Sequence, residues 1–407
     1  MSLNDTASAE RTHIGFFGVR NAGKSSVVNA VTGQDLAVVS DVLGTTTDPV
    51  RKAMELLPLG PVVVIDTPGI DDAGELGKQR VARTRRELAG CDVAVLVVDG
   101  TRGLTEADRT LLAQFGARCV PYVIAWNKCD VAGASEALAG QADEVRGRSV
   151  AVSARSGEGI RGLKERLGSL ADKGGAERPL VADLVRPGGV CVLVCPIDAS
   201  APKGRLIMPQ QLAIRDLLDH GCIPVVCREK ELERTLAALV EPPDLVVTDS
   251  QAFGVVSRIV PESVPLTSFS ILMVRYKGDL VEAVRGAAAL DRLCDGDRIL
   301  VSEGCTHHRQ CEDIGTVKLP RWLREYAGVN LEFEFTSGVE FPEDPASYAL
   351  VLHCGGCMLN AREMRSRRLR SVRAGVPVTN YGVAIAQMHG ILRRSLTPFP
   401  EALEVLS

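Results

Sequence analysis

Residues 14–26 read IGFFGVRNAGKSS: an apolar segment, a glycine-containing turn and the start of an apolar helix. Within this stretch, residues 18–25 fit the pattern G-x-x-x-x-G-K-[ST] of a phosphate-binding loop, in the strand-to-helix setting that the motif requires. Backbone N–H groups and the helix N-terminus of such a loop surround phosphates, while the lysine, here Lys24, bridges the β- and γ-phosphates. Ser25 offers a hydroxyl to Mg²⁺. The stretch therefore predicts a nucleotide-binding α/β unit at the start of the chain.

Apolar segments of strand length recur along the whole chain and alternate with segments of helical spacing. In the first part they are VVVID, VAVLVVDG, YVIAWN and SVAVSA, and such continuous apolar strands are typical of a mostly parallel sheet covered on both faces. The polar stretch ADKGGAERP then indicates a linker, and two further βα series follow. We therefore predict an α/β protein of three consecutive units, with bounds at 1–172, 180–264 and 265–407.

Composition and charge limit the classes of partner. The 407 residues include 47 basic and 51 acidic side chains, a formal net charge of -4, so the chain has no broad basic field for nucleic acid. No window of 18 uncharged apolar residues predicts a membrane span, and the N-terminus lacks the pattern of a signal peptide. We expect a cytoplasmic protein with no membrane or nucleic-acid partner, whose 12 cysteines are mostly free thiols.

Three further motifs follow the phosphate loop in order: DTPG at residues 66–69, NKCD at 127–130 and Ser153-Ala154. With the loop they resemble the motifs of the small GTPases. That resemblance implies that Asp66 holds Mg²⁺ through water, that the Gly69 N–H binds the γ-phosphate, and that Asp130 accepts hydrogen bonds from guanine. GTP is therefore predicted rather than ATP. The predicted nucleotide-binding residues are Gly18, Asn21, Ala22, Gly23, Lys24, Ser25, Ser26, Thr45, Thr46, Asp66, Gly69, Asn127, Lys128, Asp130, Ser153 and Ala154, with Lys24, Thr46 and Gly69 as catalytic residues.

The segment GTTTD at residues 44–48 resembles the first switch of the translation-factor-related GTPases that act on tRNA or ribosomes. By that resemblance Thr46 reaches Mg²⁺, and Asn21 matches an asparagine that helps to hold K⁺ in the potassium-activated members. Ile70 stands where Ras-like proteins have a glutamine that orients water, so we expect slow intrinsic hydrolysis that a monovalent cation stimulates. The alternative for Asn21 is a polar loop residue without an ionic role.

Two groups of metal-ligating residues follow strands of the last unit. Residues 305–308 read CTHH after the strand RILVS, and residues 353–357 read HCGGC after YALVL. Both lie at strand C-termini, where parallel sheets place ligands, so we expect them to converge. The segment after HCGGC has helical character, and a helix N-terminus there would favour the thiolates of Cys354 and Cys357.

The signature C-x-H…H-C-x-x-C, the middle segment CPIDASAPKGRLIMPQQ and the later segment GVPVTNYGVAIAQMHG resemble the HydF family, the GTPase scaffolds of [FeFe]-hydrogenase maturation. The resemblance extends over nearly the whole chain. It implies a [4Fe-4S] cluster on Cys305, Cys354 and Cys357 with one iron left open. His307 and His353 are candidate fourth ligands, or donors of hydrogen bonds to a thiolate.

The same resemblance implies a GTP-hydrolysing scaffold that assembles or delivers a diiron precursor with CO and CN⁻ ligands. Its partners would be the [FeFe]-hydrogenase apoprotein and the radical-SAM maturases HydE and HydG. The three predicted units would then bind GTP, dimerise and hold the cluster. The middle unit is assigned to a homodimer because it has apolar strands and no recognisable site of its own.

Other interpretations remain open from the sequence. The metal could be a structural Zn²⁺ on Cys305, His307, Cys354 and Cys357, in a GTP-gated binding module. The chain could also be a tRNA- or ribosome-associated GTPase with a redox cluster. Six arginines lie between residues 362 and 373. They form a solvated helix face, or some of them form an electropositive rim for an anionic cargo or an acidic partner. Asn380 and Tyr381, after the last predicted strand, are predicted to face the same crevice.

Overall fold

A computed structural model describes residues 8–34, 50–69, 84–171, 178–197, 206–304 and 314–406. The chain forms two compact units, Met1–Glu177 and Arg178–Ser407. Among the helices of the described ranges, none has the length and apolar character needed to cross a bilayer.

The first unit is built on one six-stranded sheet. Its strands are β1 (Thr12–Phe17), β2 (Val50–Leu56), β3 (Gly60–Asp66), β4 (Val93–Asp99), β5 (Tyr122–Asn127) and β6 (Ser149–Ala151). They lie in the order β2-β3-β1-β4-β5-β6, and all neighbours are parallel except β2 and β3. Every residue of β4 is buried, as expected for a strand covered on both faces. The predicted mostly parallel sheet is confirmed.

Helices cover both faces of this sheet. They are α1 (Lys24–Thr32), the described part of α2 (84–89), α3 (Glu106–Ala117), α4 (Ala134–Ala139), α5 (Asp143–Arg148) and α6 (Ile160–Ala171). Because successive strand side chains point to opposite faces, Phe16 and Phe17 of β1 belong to separate buried clusters. Phe17 meets Phe115 of α3 edge to face, with ring centroids 5.4 Å apart. The unit therefore has two hydrophobic layers around one sheet.

Strand β2 was not predicted from the sequence. Its residues, VRKAMEL, include three charged side chains, and only Leu56 is buried. The strand lies at the edge of the sheet and is antiparallel to β3. Backbone hydrogen bonds to β3, rather than burial of an apolar face, stabilise β2. Its hydropathy pattern alone therefore does not predict a strand.

The second unit contains two four-stranded parallel sheets. The strands are β7 (Val190–Val194), β8 (Ile223–Cys227), β9 (Leu245–Thr248), β10 (Leu266–Ser268), β11 (Arg298–Glu303), β12 (Glu332–Ser337), β13 (Leu350–His353) and β14 (Val378–Asn380). The orders are β10-β9-β7-β8 and β12-β11-β13-β14. One continuous buried cluster includes side chains of both sheets, for example Val192 of β7 and Leu352 of β13. The two sheets therefore share a core.

The helices of the second unit pack around this shared core. They are α7 (Met208–Asp219), α8 (Leu232–Ala238), α9 (Phe253–Ile259), α10 (Phe269–Lys277), α11 (Leu280–Ala287), α12 (Leu319–Ala327), α13 (Ala361–Arg373), α14 (Tyr381–Met388), α15 (Leu392–Ser395) and α16 (Pro400–Leu403). Most residues of α10 are buried, because the helix packs against α7 on one side and against α13 and α14 on another. It is the central helix of the unit.

The three α/β series predicted from the sequence correspond to the three sheets. Strand β10, just after the predicted boundary at residue 265, pairs with β9 and therefore continues the middle sheet to Ser268. The three domain bounds themselves stay a prediction.

Candidate functional site

The phosphate loop connects β1 to α1 and is shaped by two glycines with positive φ. Gly18 has φ 147°, and a Cβ there would lie 2.3 Å from the carbonyl oxygen of Val97. Gly23 has φ 86°, and a Cβ there would lie 2.4 Å from Nδ2 of Asn127. No side chain fits at either position, so both must be glycine. Without side chains there, the backbone can turn tightly before the N-terminus of α1. This is the geometry that lets N–H groups surround a phosphate.

Lys24 lies inside this loop. Its side chain is 8% exposed, and Nζ donates hydrogen bonds of 3.1 Å to the carbonyl oxygens of Gly18 and Val19. Ala22 is buried beside it, and Ser26 is half-buried in the first turn of α1. The ammonium group is thus held where the β- and γ-phosphates are bound in loops of this type.

Two side chains expected to hold Mg²⁺, Ser25 directly and Asp66 through water, meet at the start of α1 and the end of β3. Ser25 Oγ donates a 2.8 Å hydrogen bond to Oδ2 of Asp66, and Oδ1 of Asp66 is buried without a hydrogen-bond partner among the described residues. Burial raises the pKa of Asp66, although the hydrogen bond from Ser25 and the charge of Lys24 act to lower it. A carboxylate oxygen of this kind, beside a hydroxyl, fits a hard cation such as Mg²⁺.

Gly69 lies against the phosphate loop. A Cβ at this position would be 3.0 Å from the backbone nitrogen and Cα of Arg20, so the backbone itself approaches the loop. Thr67 anchors the segment, because its N–H and its hydroxyl both donate to the carbonyl oxygen of Phe16, at 3.2 and 2.7 Å. The structure therefore brings Gly69 beside the phosphate loop, as its predicted role requires.

Asn127 connects the NKCD segment with the phosphate loop and with the Ser153-Ala154 segment. Its Nδ2 donates to the carbonyl oxygen of Ala22 at 3.0 Å, and its Oδ1 accepts from the N–H of Ala154 at 3.1 Å. Ser153 is fully buried, and its Oγ accepts from the N–H of Ser156 at 3.1 Å. The NKCD and Ser-Ala segments therefore lie next to the phosphate loop.

Lys128 and Asp130 occupy the rim of this site. Lys128 has φ 64°, and its Nζ donates to Oδ2 of Asp99 at 2.6 Å and to the carbonyl oxygen of Asn21 at 3.3 Å. Asp130 is exposed, which leaves its carboxylate accessible to a base. Asn21 is also exposed, with φ 61°. Thr45, Thr46 and Ile70 lie outside the described residues.

Asp99, at the end of β4, was missed by the sequence analysis. Burial acts to raise the pKa of its carboxyl, but hydrogen bonds from Lys128 and Thr101 outweigh burial and hold that pKa below its usual range. The charged carboxylate thereby orients Lys128 beside the phosphate loop. The sequence pattern could have shown this, because an aspartate that ends an otherwise apolar strand lies at the ligand-binding edge of a parallel sheet.

The cysteine loop, residues 354–359, connects β13 to the N-terminus of α13. Sγ of Cys354 accepts hydrogen bonds from the N–H groups of Gly304, at 3.0 Å, and Gly356, at 3.4 Å. Burial raises the pKa of the Cys354 thiol to about 11, against the effect of these two N–H groups. Two backbone donors directed at one sulfur are suited to a thiolate that a metal has already deprotonated.

Glycines make the cysteine loop compact. Gly356 has φ 64°, and a Cβ there would lie 2.4 Å from Sδ of Met364. A Cβ on Gly304, at the end of β11, would lie 2.9 Å from Cγ of Leu359. The ends of β11 and β13 therefore approach closely, and the convergence of the two clusters stays a prediction. Cys305 and His307 lie outside the described residues, and no three metal-ligating side chains meet within those that are described.

His353 is buried at the end of β13, and both of its ring nitrogens have partners. Nδ1 is 2.8 Å from the carbonyl oxygen of Cys354, and Nε2 is 3.1 Å from Nη1 of Arg367. Since a carbonyl accepts and a guanidinium donates, the ring is assigned a proton on Nδ1 alone. Burial lowers the pKa of His353 to about 3, and the charge of Arg367 acts in the same direction. The neutral ring thus braces the backbone of the first loop cysteine.

Arg367 is the centre of a buried network that sequence analysis missed. The residue is 1% exposed and donates to Glu363 Oε1 at 2.8 Å, to Ser302 Oγ at 3.3 Å and to the carbonyl oxygen of Gly338 at 2.7 Å. It therefore belongs neither to a solvated face nor to an exposed rim. The i, i+4 spacing between Glu363 and Arg367 was the sequence pattern that could have predicted this ion pair.

The other arginines of α13 divide between structural and exposed positions. Arg368 forms an ion pair with Asp279 at 3.3 Å, and Arg370 stacks on Phe341 with its guanidinium carbon 4.9 Å from the ring centroid. Arg365 and Arg373 are exposed. Arg367 is thus unavailable to an electropositive rim, and a rim formed by some of the other arginines stays a prediction.

Asn380 ends β14, Tyr381 begins α14, and the two side chains contact different neighbours. Asn380 Nδ2 donates to the carbonyl oxygen of Ser270 on α10, at 2.8 Å, and its Oδ1 caps α14. The Tyr381 hydroxyl donates to Glu303 Oε1 at 3.3 Å, directly before Gly304. Only Tyr381 therefore reaches the strand end that precedes Cys305.

Solved structures similar to this chain include a probable GTP-binding protein engB, at 23% identity and a TM-score of 0.33, covering 40% of this chain and 100% of that one. Another is the G domain of the T. maritima FeoB iron transporter, at 23% identity and a TM-score of 0.30, covering 40% of this chain and 99% of that one.

Curated relatives include the tRNA modification GTPase MnmE of Dechloromonas aromatica, 33% identical over 171 residues, and that of Laribacter hongkongensis, 36% identical over 157 residues. The alignments cover 42% and 38% of this chain and 37% and 34% of the relatives. The chain thus spans about a third of the length of these proteins.

Three family models match along the chain. A 50S ribosome-binding GTPase model matches residues 13–128, a hydrogen maturase F dimerization domain matches 180–278, and a hydrogen maturase F tetramerization domain matches 281–398. The first match contains the phosphate loop and the Ser25–Asp66 pair described above, and this part is a GTPase domain that binds GTP with Mg²⁺ and hydrolyses it. Because the other two models together cover more than half of the 407 residues, the chain belongs to the hydrogen maturase F family.

Proposed function

We propose that this GTPase is a scaffold that holds a [4Fe-4S] cluster on Cys305, Cys354 and Cys357, and that it assembles or delivers the diiron precursor of the [FeFe]-hydrogenase active site. The observation that carries the proposal is the pair of N–H groups, from Gly304 and Gly356, directed at Sγ of Cys354. Such bonds stabilise a metal-bound thiolate.

Three thiolates leave one iron of the cluster open to an exchangeable ligand, which is the chemistry that the cluster would supply when bound. His307 stays a candidate for that position. We assign His353 a supporting role, because both of its ring nitrogens are engaged and Arg367 occupies the lone pair on Nε2. Its bond to the Cys354 carbonyl oxygen orients the peptide that carries the first loop thiolate.

GTP would act on conformation rather than on iron chemistry, since switch loops that order around a γ-phosphate are two-state elements. In this role Lys24 and the N–H of Gly69 bind the phosphates, and Thr46 joins Ser25 and Asp66 around Mg²⁺. Asn21 would hold K⁺ beside the phosphates, where positive charge offsets the charge that develops during hydrolysis.

The family matches support an oligomer, and we propose a homodimer formed at the edge strand β8. This strand ends the middle sheet and leaves Ile223 50% and Val226 45% exposed. Apolar side chains on a sheet edge that pairs with no described strand favour addition of a strand from a second copy. The [FeFe]-hydrogenase apoprotein and the radical-SAM maturases HydE and HydG are the proposed partners of the assembled scaffold.

The test is anaerobic reconstitution of the full chain with iron and sulfide, followed by metal analysis. We expect about four irons per chain and a brown protein. Cys305→Ser, Cys354→Ser and Cys357→Ser should each lose or degrade the cluster and keep GTP hydrolysis, since the GTPase domain lies in the other unit. Cys294→Ser, at an exposed cysteine, is the matched control and should keep the iron. A colourless protein with one zinc per chain would refute the cluster and favour a structural zinc site.

A further inference from the structure

One face of α10 lies against the cysteine loop. Ser270, Met273 and Lys277 recur at the spacing i, i+3 and i+7, which places them on one side of a helix. A Cβ on Gly355 would lie 3.6 Å from Cβ of Met273 and 3.7 Å from Oγ of Ser270, so the loop backbone rests directly on this face. The loop is therefore packed against a helix that precedes it by about 80 residues in the sequence.

Lys277, the last residue of this face, is 4% exposed. Its Nζ donates to the carbonyl oxygen of Leu359 at 3.0 Å and to that of Cys357 at 3.5 Å. These two carbonyls belong to the second loop cysteine and to the residue two positions further on. The ammonium group is thus fixed within the protein, at the backbone of a proposed iron ligand.

A buried ammonium is costly because it loses its hydration, and lysine is among the side chains least often buried. The cost falls when an anion lies nearby, since charges interact more strongly in a protein interior than in water. In the proposed cluster the metal-bound thiolates of Cys354 and Cys357 would provide that anion, and the cluster would become more negative when it gains an electron.

We infer that Lys277 is a fixed positive charge that stabilises the reduced form of the cluster and raises its reduction potential. This inference rests on the proposed [4Fe-4S] site. It assigns Lys277 a tuning role, because net charge and hydrogen bonding around a cluster are the means by which a protein sets its potential. The residue belongs to the part matched by the dimerization model, whereas the loop belongs to the part matched by the tetramerization model.

The test is a redox titration of the reconstituted full chain. The electron paramagnetic resonance signal of the reduced cluster measures the reduced fraction at each potential. Lys277→Gln keeps hydrogen-bond donors and removes the charge, and Lys277→Arg keeps the charge. We expect the glutamine variant to be at least tenfold harder to reduce, a fall of about 59 mV for a one-electron couple. The arginine variant should stay within threefold of the unmodified chain. Lys230→Gln, at an exposed lysine, is the matched control and should leave the potential unchanged.

Each outcome bears on one proposal. If the unmodified chain forms no cluster, the proposed function fails before the role of Lys277 is reached. If the glutamine variant holds a cluster with the potential of the unmodified chain, the inference about Lys277 is overturned. Loss of the cluster in the glutamine variant but not in the arginine variant would also support a required charge. Loss in both variants would show that Lys277 acts through its shape alone, against the inference.

Discussion

Replacing Arg367 by methionine tests the buried network beneath the cysteine loop. The substitution keeps a flexible, unbranched apolar stem, two atoms shorter than that of arginine, and removes every donor of the guanidinium. Glu363 then loses its 2.8 Å partner, and the carbonyl oxygen of Gly338 and Nε2 of His353 lose theirs. All three acceptors lie in the interior of the second unit, where lost hydrogen bonds are not replaced by water.

The magnitude follows from the charge left behind. Removing one partner of a buried ion pair costs about 3–5 kcal/mol. The side chain of Glu363 is only 9% exposed, but Arg370 stays 3.9 Å away and partly compensates its charge. We therefore expect Arg367→Met to destabilise the second unit by about 3 kcal/mol, the lower end of that range. Adding Glu363→Gln to this variant should recover about 1 kcal/mol or more, since the orphaned charge is removed.

The assay is hydrogen exchange by mass spectrometry in increasing urea, using peptides from β13 and α13. These peptides report unfolding of the second unit separately from the GTPase unit. Arg365→Met is the matched control, because Arg365 is exposed on the same helix, and it should change the free energy of unfolding by less than about 0.5 kcal/mol. A loss below about 1 kcal/mol for Arg367→Met, or no recovery in the double variant, would refute the role assigned to this network.

Three further predictions concern the GTPase unit. Asp130→Asn should weaken GTP binding and shift preference toward xanthine nucleotides, and unchanged guanine selectivity in competition binding would show that Asp130 does not face the base. GTP hydrolysis should be faster in K⁺ than in Na⁺ at equal ionic strength, and Asn21→Ala should abolish that difference while GTP still binds; equal rates for the unmodified chain would exclude the cation. Because burial raises the pKa of Asp66, the folded state binds its proton more tightly than the unfolded state, so stability of the metal-free unit should fall as pH rises above the ordinary carboxyl range. Asp66→Asn should remove that fall and the stabilisation by Mg²⁺ with GTP, and a pH dependence of unfolding identical to that of the unmodified chain would contradict the assignment.

The sequence by itself determined the GTPase unit and most of the strands. The phosphate loop, DTPG and NKCD are local patterns whose spacing specifies their chemistry, and long apolar runs such as β4 can only be buried. It also located Cys354 correctly at the end of a parallel strand, because strand ends carry the ligands in such sheets. These features depend on residues close together in the chain.

Only the tertiary structure decided which polar side chains are buried and what they contact. Arg367 and Arg365 are chemically identical neighbours on one helix, yet only the first meets Ser302 and His353 from other strands. Lys277 reaches the cysteine loop across about 80 residues of sequence, a distance over which hydropathy patterns carry no information. The physical reason is that a charged side chain is buried only where partners from distant segments offset its desolvation, and those partners are brought together by the fold.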